Sequence, residues 1–188
     1  MNVVLIGFRC AGKSCVGRAL GKRLNREFLD CDEYIERKTN LTIREIFDIA
    51  GESYFRMLEG DAIAEVSKRD GLILATGGGA ALRYKNIHLL KRNGVVVFLE
   101  VGAESAFQRS QGDPSSPARR PSLTGRDPFE EMREQVEFRR PYYLNAADFV
   151  VRTDGRSVDD IVQEILLHLK EPGGEEPPPP DEGDVQLA

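Results

Sequence analysis

Short, mainly apolar runs alternate along this chain with longer segments whose apolar residues recur every three or four positions. The apolar runs occupy residues 3–6, 27–29, 72–76, 95–99 and 149–151. Runs of this length are typical of strands buried on both faces of a parallel sheet. Helical spacing follows the first run at Val16, Ala19, Leu20 and Leu24. The alternation predicts an α/β fold with a five-stranded parallel sheet.

Helix-start signals agree with this pattern. Thr42 and Glu45 have the spacing of a capping box for a helix over residues 43–50, which Gly51 would close, and a longer helix follows. Ser157 and Asp160 have the same spacing before the last apolar helix. Asp32 has the residue type of a cap for a helix that begins near it.

Residues 7–14 are the strongest chemical signal. Their sequence, Gly-Phe-Arg-Cys-Ala-Gly-Lys-Ser, matches a phosphate-binding loop between a strand and a helix. Backbone N–H groups and the helix N-terminus would surround the phosphates, Lys13 would reach the β- and γ-phosphates, and Ser14 would bind Mg²⁺. A chance glycine-rich turn is the alternative. The residues expected to bind ATP here are Gly7, Cys10, Ala11, Gly12, Lys13, Ser14 and Cys15.

Two further groups follow predicted strands. Asp30 and Asp32 come after the second strand, and Gly77, Gly78 and Gly79 come after the third. The carboxyl ends of parallel strands share one edge, so these residues should converge on the phosphate loop. The alternatives are that Asp32 only caps a helix and that the glycines only allow a tight turn.

The positions of the acids constrain the class of enzyme. Nucleotide hydrolases hold Mg²⁺ with an Asp at the end of an apolar strand, yet the third strand here ends in Thr76 and the fourth runs into Glu100. The acids after the second strand instead favour a small-molecule kinase, in which an acceptor hydroxyl lies beside the γ-phosphate.

Arginine replaces lysine in one region. Between residues 109 and 140 there are seven arginines and no lysine: Arg109, Arg119, Arg120, Arg126, Arg133, Arg139 and Arg140. Arginine binds phosphate and carboxylate bidentately, so this usage favours anion recognition. The polar stretch 111–126 is interpreted as a mobile lid that closes over the phosphates. A loop whose arginines only keep it soluble is the alternative, and the favoured one for Arg126, Arg133 and Arg140.

The amino-acid composition divides the chain into a main part, residues 1–170, called the body, and a C-terminal tail, residues 171–188. The 188 residues are 40% hydrophobic and 30% charged, as in one globular domain, assigned to residues 1–170. Residues 171–188 contain six acids, no bases and five of the ten prolines, which predicts a disordered tail. The net charge of −5 leaves +1 for the body, which argues against nucleic-acid binding. Without an apolar span or leader, a cytoplasmic protein with no membrane contact is expected.

Several motifs together resemble one family. They are the phosphate loop, Phe28-Leu29-Asp30-Cys31-Asp32, Phe55-Arg56 with Glu59, the triple glycine, Arg120-Pro121, and Arg139-Arg140-Pro141-Tyr142-Tyr143. In this order, over residues 2 to about 170, they resemble the shikimate kinases. The resemblance implies a three-layer P-loop kinase fold, nucleoside-monophosphate-kinase-like with a mobile lid, and ATP-dependent phosphorylation of the 3-hydroxyl of shikimate.

The resemblance also implies roles on the acceptor side. Asp32 would bind the acceptor hydroxyls and assist their deprotonation, and Arg56 and Arg139 would hold the shikimate carboxylate. Residues 77–79 would line the substrate, with Gly78 contacting the ring through its backbone. These assignments make shikimate and ATP the partners of an expected monomer.

On the nucleotide side, the resemblance implies that Lys13 and Arg120 act in catalysis, with Arg120 as a lid arginine near the γ-phosphate. Arg109 would pack on adenine, and Asp30 would support Mg²⁺ through water beside Ser14.

This chain departs from the family pattern at a few positions. Cys10 stands where a small residue such as glycine is usual, and Cys15 where threonine is common. The stretch between Arg109 and Arg120 makes the lid longer than usual. Two alternatives stay open: a kinase for another small hydroxylated acceptor such as gluconate or a nucleotide, and a non-catalytic shikimate-kinase-like sensor.

Overall fold

The predicted strands form a single parallel sheet. The computed structural model describes residues 1–112 and 127–170. Its strands are β1 (Asn2–Ile6), β2 (Phe28–Asp30), β3 (Ile73–Ala75), β4 (Gly94–Glu100) and β5 (Phe149–Arg152). All pairs are parallel, in the order β2-β3-β1-β4-β5. The predicted five-stranded parallel sheet is therefore confirmed.

Helices cover both faces of this sheet. They are α1 (Lys13–Leu24), α2 (Cys31–Thr39), α3 (Ile43–Val66), α4 (Tyr84–Lys91), α5 (Ala103–Gly112), α6 (Pro128–Ala146) and α7 (Val158–Lys170). The α1 and α7 helices pack against each other, whereas α4 and α6 pack on β4. Every β1 side chain from Val3 to Ile6 is fully buried although neighbours point to opposite faces, which requires cover on both sides. The fold has the predicted three layers.

The sheet register brings the functional segments to one edge. Leu5 of β1 pairs with Ala75 of β3, and Ala75 pairs with Asp30 of β2. The segments that leave these strands therefore start side by side. They are the phosphate loop, the Asp30–Asp32 segment and the glycines after β3.

The capping predictions were correct for α3 and need one correction for α2. Thr42 and Glu45 form the full capping box, and Gly51 (φ 75°) interrupts α3 at the predicted end of its first segment. At α2 the cap is Asp30, whose Oδ1 accepts from the backbone N–H of Asp32 at 3.0 Å. Asp32 was expected as the capping candidate, but it already lies in the first turn because the helix begins at Cys31.

The hydrophobic pattern did not predict α5 or α6. Most α6 residues are charged or polar and Pro141 lies inside the helix, so its periodicity is weak. α5 extends through Gly112 and takes in the first two residues of the predicted lid. The rest of the lid, with Arg120, and the tail 171–188 lie outside the described residues. Within the described ranges, no helix has the length and apolar character needed to cross a membrane.

Close packing between α1 and β2 generates a prediction. A Cβ added at Gly17 would overlap the Phe28 ring, whereas one at Gly60 of α3 would find no atom closer than 3.7 Å. Gly17→Ala should lower the free energy of unfolding by about 1–2 kcal/mol because the ring must move. Gly60→Ala should raise it by up to about 1 kcal/mol through helix propensity. Urea denaturation of both variants measures the difference, and equal effects would contradict the packing argument.

Candidate active site

The phosphate loop connects β1 to α1 and is closed by its own lysine. Lys13 is the first residue of α1, and its Nζ donates to the backbone carbonyls of Gly7 (2.9 Å) and Phe8 (2.8 Å). Burial lowers the Lys13 pKa, and the carboxylates of Asp32 and Asp30 oppose that shift. Cys10 adopts a left-handed conformation with φ 63°. Glycine would adopt it more easily, since an ordinary L-residue loses roughly 1–2 kcal/mol there.

Ser14 and Asp30 form a pair of oxygen donors beside the loop. The Ser14 hydroxyl donates to Asp30 Oδ2 at 2.6 Å, while the other Asp30 oxygen caps α2. Hydroxyl and carboxylate oxygens suit Mg²⁺, which usually takes one or two protein ligands and completes its shell with water and phosphate. The described residues contain no cluster of three or more acidic, histidine or cysteine side chains able to hold a metal. The pair therefore fits a magnesium ion that arrives with a nucleotide.

Asp32 is the most perturbed carboxyl in the cleft. Burial raises its pKa to about 6, the carboxylates of Asp30 and Glu59 add to the shift, and Lys13 opposes it. Asp32 Oδ1 is buried without a hydrogen-bond partner. A Cβ at Gly77 would lie 2.8 Å from both Asp32 Oδ1 and Glu59 Oε1, so glycine is required for these carboxyls to approach the backbone. Asp32 is thus a buried acceptor directed at a space that glycine keeps open.

Arg56 faces the same space from α3. Its Nη1 contacts both Glu59 carboxylate oxygens at 3.0 and 3.2 Å, and its Nε and Nη2 donate to Glu52. A Cβ at Gly79 would overlap the Arg56 guanidinium. Glu59 is fully buried, and the sequence analysis assigned it no role in the site. Its position three residues after an arginine on one helix was the available signal.

The α6 helix brings Arg139 to the middle glycine of the three. Arg139 Nη1 lies 3.4 Å from the Gly78 carbonyl, and its guanidinium lies over the Phe8 ring at 5.5 Å. The Tyr143 hydroxyl donates to the same carbonyl at 2.5 Å, and its ring stacks on Phe98. Burial raises the Tyr143 pKa to about 12, so the phenol stays a donor. Sequence reasoning missed Tyr143, although it lies one helical turn after Arg139.

Arg109 reaches the site from α5. Its guanidinium donates to the Cys10 carbonyl at 3.1 Å and to the Thr153 carbonyl at 2.7 Å. It therefore joins α5 to the backbone of the phosphate loop. The contacts above join the phosphate loop, Asp30, Asp32, Arg56, the three glycines, Arg109 and Arg139. Cys15 lies in the first turn of α1 and is exposed, and Arg120 falls outside the described ranges.

The perturbed Asp32 carboxyl predicts a pH-dependent stability difference. Its native pKa of about 6 exceeds the ordinary 3.8, so the native state binds more protons than the unfolded state between these values, and stability falls as pH rises. Asp32→Asn should stabilise the ligand-free protein by about 1–3 kcal/mol at pH 8 and change little at pH 4. Denaturation at both pH values measures this difference.

Asp30→Asn is the matched control. Asp30 accepts from Ser14 and from the backbone of α2, so its replacement should give no such gain at pH 8. If Asp32→Asn stabilises the protein equally at pH 4 and pH 8, the assigned pKa is contradicted.

Comparisons with known proteins identify the family to which this sequence is similar. The family model "Shikimate kinase" matches residues 9–170. The shikimate kinases of Symbiobacterium thermophilum and Burkholderia thailandensis are each 40% identical over 173 residues. These matches span 92% of this chain and 98% and 92% of the respective relatives.

A solved structure agrees with the sequence relatives. The shikimate kinase from Acinetobacter baumannii in complex with shikimate superposes with a TM-score of 0.82 at 38% identity, covering 89% of this chain and 92% of that one. Since the family match and these relatives span nearly all of the described fold, the chain belongs to the shikimate kinase family.

Proposed function

We propose that this chain transfers the γ-phosphoryl group of ATP to the 3-hydroxyl of shikimate, giving shikimate 3-phosphate and ADP. The observation that carries the proposal is the position of Asp32. This buried carboxyl lies beside Gly77, together with the Arg56–Glu59 pair, and close enough to the phosphate loop for its charge to act on Lys13. A hydroxylated acid held there has its hydroxyl next to the γ-phosphate.

Recognition of the acceptor carboxylate rests on two arginines that come from different helices. Arg56 and Arg139 supply guanidinium groups for the carboxylate, from α3 and α6 respectively. Planar guanidinium groups bind carboxylates bidentately, which fixes the orientation of the ring. Gly78 offers bare backbone to the ring, and its carbonyl already accepts from Tyr143. Nucleotide or gluconate acceptors do not combine this carboxylate with a rigid ring.

Phosphoryl transfer then needs one proton acceptor and several positive groups. As the 3-hydroxyl oxygen bonds to the γ-phosphorus, the bond from phosphorus to the ADP oxygen breaks, and Asp32 takes the hydroxyl proton. A carboxyl with a pKa of about 6 is mostly ionised at neutral pH yet more basic than an ordinary aspartate. Lys13 and the loop N–H groups stabilise the charge that develops on the phosphate oxygens.

Mg²⁺ fits this scheme at Ser14 and Asp30, where it would neutralise charge on the β- and γ-phosphates. On the family resemblance, Asp30 would act through water, and its two oxygens accept from Ser14 and the α2 backbone. We assign Arg109 to the adenine and Arg120 to the γ-phosphate on the same resemblance. We further propose a monomeric, cytoplasmic enzyme.

An acceptor panel tests the proposed reaction. ADP release is measured with ATP and Mg²⁺ in the presence of shikimate, gluconate, nucleoside monophosphates or no acceptor. Turnover that depends on shikimate supports the proposal. Turnover with another acceptor would keep the assignment as a small-molecule kinase but contradict shikimate as the substrate. Binding of ATP and shikimate without ADP release would favour the sensor alternative.

Asp32→Asn tests the proton acceptor. An amide cannot accept the proton, so kcat should fall by about 10²–10⁴-fold. ATP affinity, measured by calorimetry, should change little, since the phosphates are bound by the loop. In the unsubstituted enzyme, kcat/KM for shikimate should rise with pH and level off above about pH 6, as Asp32 loses its proton. Lost ATP binding in the variant would contradict this role.

Arg139→Ala tests acceptor recognition. Removal of a charge-assisted contact costs about 1.5–3 kcal/mol, so KM for shikimate should rise about 10- to 150-fold while KM for ATP stays near its original value. Arg140→Ala is the matched control, because the neighbouring Arg140 is exposed and pairs with Glu100. Equal effects of the two substitutions, or a rise confined to KM for ATP, would refute the assignment.

A further inference from the structure

An aromatic groove lies between α4 and the last turns of α6, and the proposed reaction does not use it. Its volume is about 460 Å³, and its lining includes Tyr84, Ile87, His88, Lys91 and Tyr142. Tyr84 is 84% exposed and Tyr142 is 42% exposed. The rings are ordered by their neighbours, since Tyr84 stacks with His88 and Tyr142 packs on Phe138. Such a large exposed aromatic surface is a candidate binding site.

The C-terminal helix of the described chain is connected to this groove through side-chain contacts. His168, near the end of α7, stacks on Phe149 with ring centroids 4.5 Å apart. The residue before Phe149 is Asp148, whose carboxylate accepts from Lys91 at 2.9 Å, and Lys91 lines the groove. Two side-chain contacts, joined through the peptide bond between Asp148 and Phe149, therefore connect α7 to the groove lining. The chain continues for residues 171–188 beyond this point.

The sequence of that continuation suits an aromatic groove with basic residues. Residues 177–180 are four consecutive prolines, flanked by Glu175 and Glu176 on one side and by Asp181 and Glu182 on the other. Proline-rich segments favour the polyproline II conformation and bind grooves lined by aromatic side chains. The α4 helix contains Lys85, His88 and Lys91 and no acidic residue, and because Lys91 already pairs with Asp148, the positive charge offered to the tail comes mainly from Lys85. The prolines of this segment therefore suit the aromatic lining of the groove, and its acidic residues suit the basic α4.

The length of the C-terminal segment and its covalent attachment to α7 also favour binding to the groove. The seven residues from Lys170 to the first proline span up to about 23 Å when extended, and α7 is already connected to the groove lining through His168, Phe149 and Asp148. A short flexible tether gives an effective concentration of roughly 1 mM. A segment that binds its groove with a Kd of about 0.1 mM would then be bound about ten times more often than free.

We propose that residues 177–180 of the chain's own C-terminal segment bind the groove of Tyr84, His88 and Tyr142, with the flanking acidic residues beside α4. This function is separate from phosphoryl transfer, and α6 carries both the groove and Arg139. The groove is thus an intramolecular docking site for the acidic, proline-rich tail.

Backbone order parameters in the full-length protein test the proposal. The amides of Glu176 and Asp181 flank the prolines, and their S² values should exceed about 0.6. The double substitution Tyr84→Ser with Tyr142→Ser should lower both values below about 0.6. Tyr54→Ser removes an exposed tyrosine from α3 and is the matched control, which should leave them unchanged. Thermal unfolding confirms that each variant is folded.

A reciprocal substitution tests the same contact from the other side. Replacing residues 177–180 by serine should shift the ring resonances of Tyr84, His88 and Tyr142 and leave those of Tyr54 in place. S² values below about 0.6 in the unsubstituted protein, or values that do not respond to the groove variants, would overturn the proposal. Ring shifts that depend on protein concentration, with a doubled mass in light scattering, would also overturn it by assigning the groove to a second copy.

Discussion

The crowding of carboxylates at one end of the sheet is the constraint on which the site depends. Burial raises the pKa values of both Asp32 and Glu59, and the Asp30 and Glu59 carboxylates both disfavour ionisation of Asp32. The positive groups that balance them are the Lys13 ammonium from the phosphate loop and the Arg56 guanidinium, which contacts both Glu59 oxygens. The pKa of Asp32 comes from this balance. The buried Asp32 carboxylate destabilises the ligand-free protein, and for the same reason it is more basic than an ordinary aspartate.

The Gly78 carbonyl connects this charged centre to the other half of the fold. It belongs to the turn after β3, and it accepts from Tyr143 and Arg139, which come from α6 more than sixty residues later. Tyr143 is held in turn by Phe98 of β4, so the sheet itself positions α6. The Phe8 ring lies under Arg139 and ties that arginine to the phosphate loop. The phosphate loop, the turn after β3 and α6 are therefore joined by direct contacts, and a reaction dependent on in-line geometry requires such positioning.

Much of this arrangement was predictable because its signals are local. The phosphate loop is a contiguous motif, and its identity depends only on residues 7–14 and the flanking strand and helix. The strand segments, the capping box at Thr42 and the break at Gly51 likewise depend on neighbouring residues. The convergence of Asp30, Asp32 and the glycines followed from a general property of parallel sheets. The helices α5 and α6 were missed because charged and polar residues dominate them and obscure the apolar period.

The sequence by itself determined which chemical groups enter the cleft, because strand ends, turns and helix spacing place them there. Only the tertiary structure decided which hydrogen bonds these groups make and how their pKa values shift. The choice of Asp30 as the α2 cap depends on where the helix begins, and the second bond to Ser14 joins two elements. The pKa of Asp32 depends on burial by chain segments such as Glu59 and Gly77, which are remote in sequence. The roles of Glu59 and Tyr143 depend on the same long-range packing, since neither burial nor a contact across sixty residues is encoded in any local pattern.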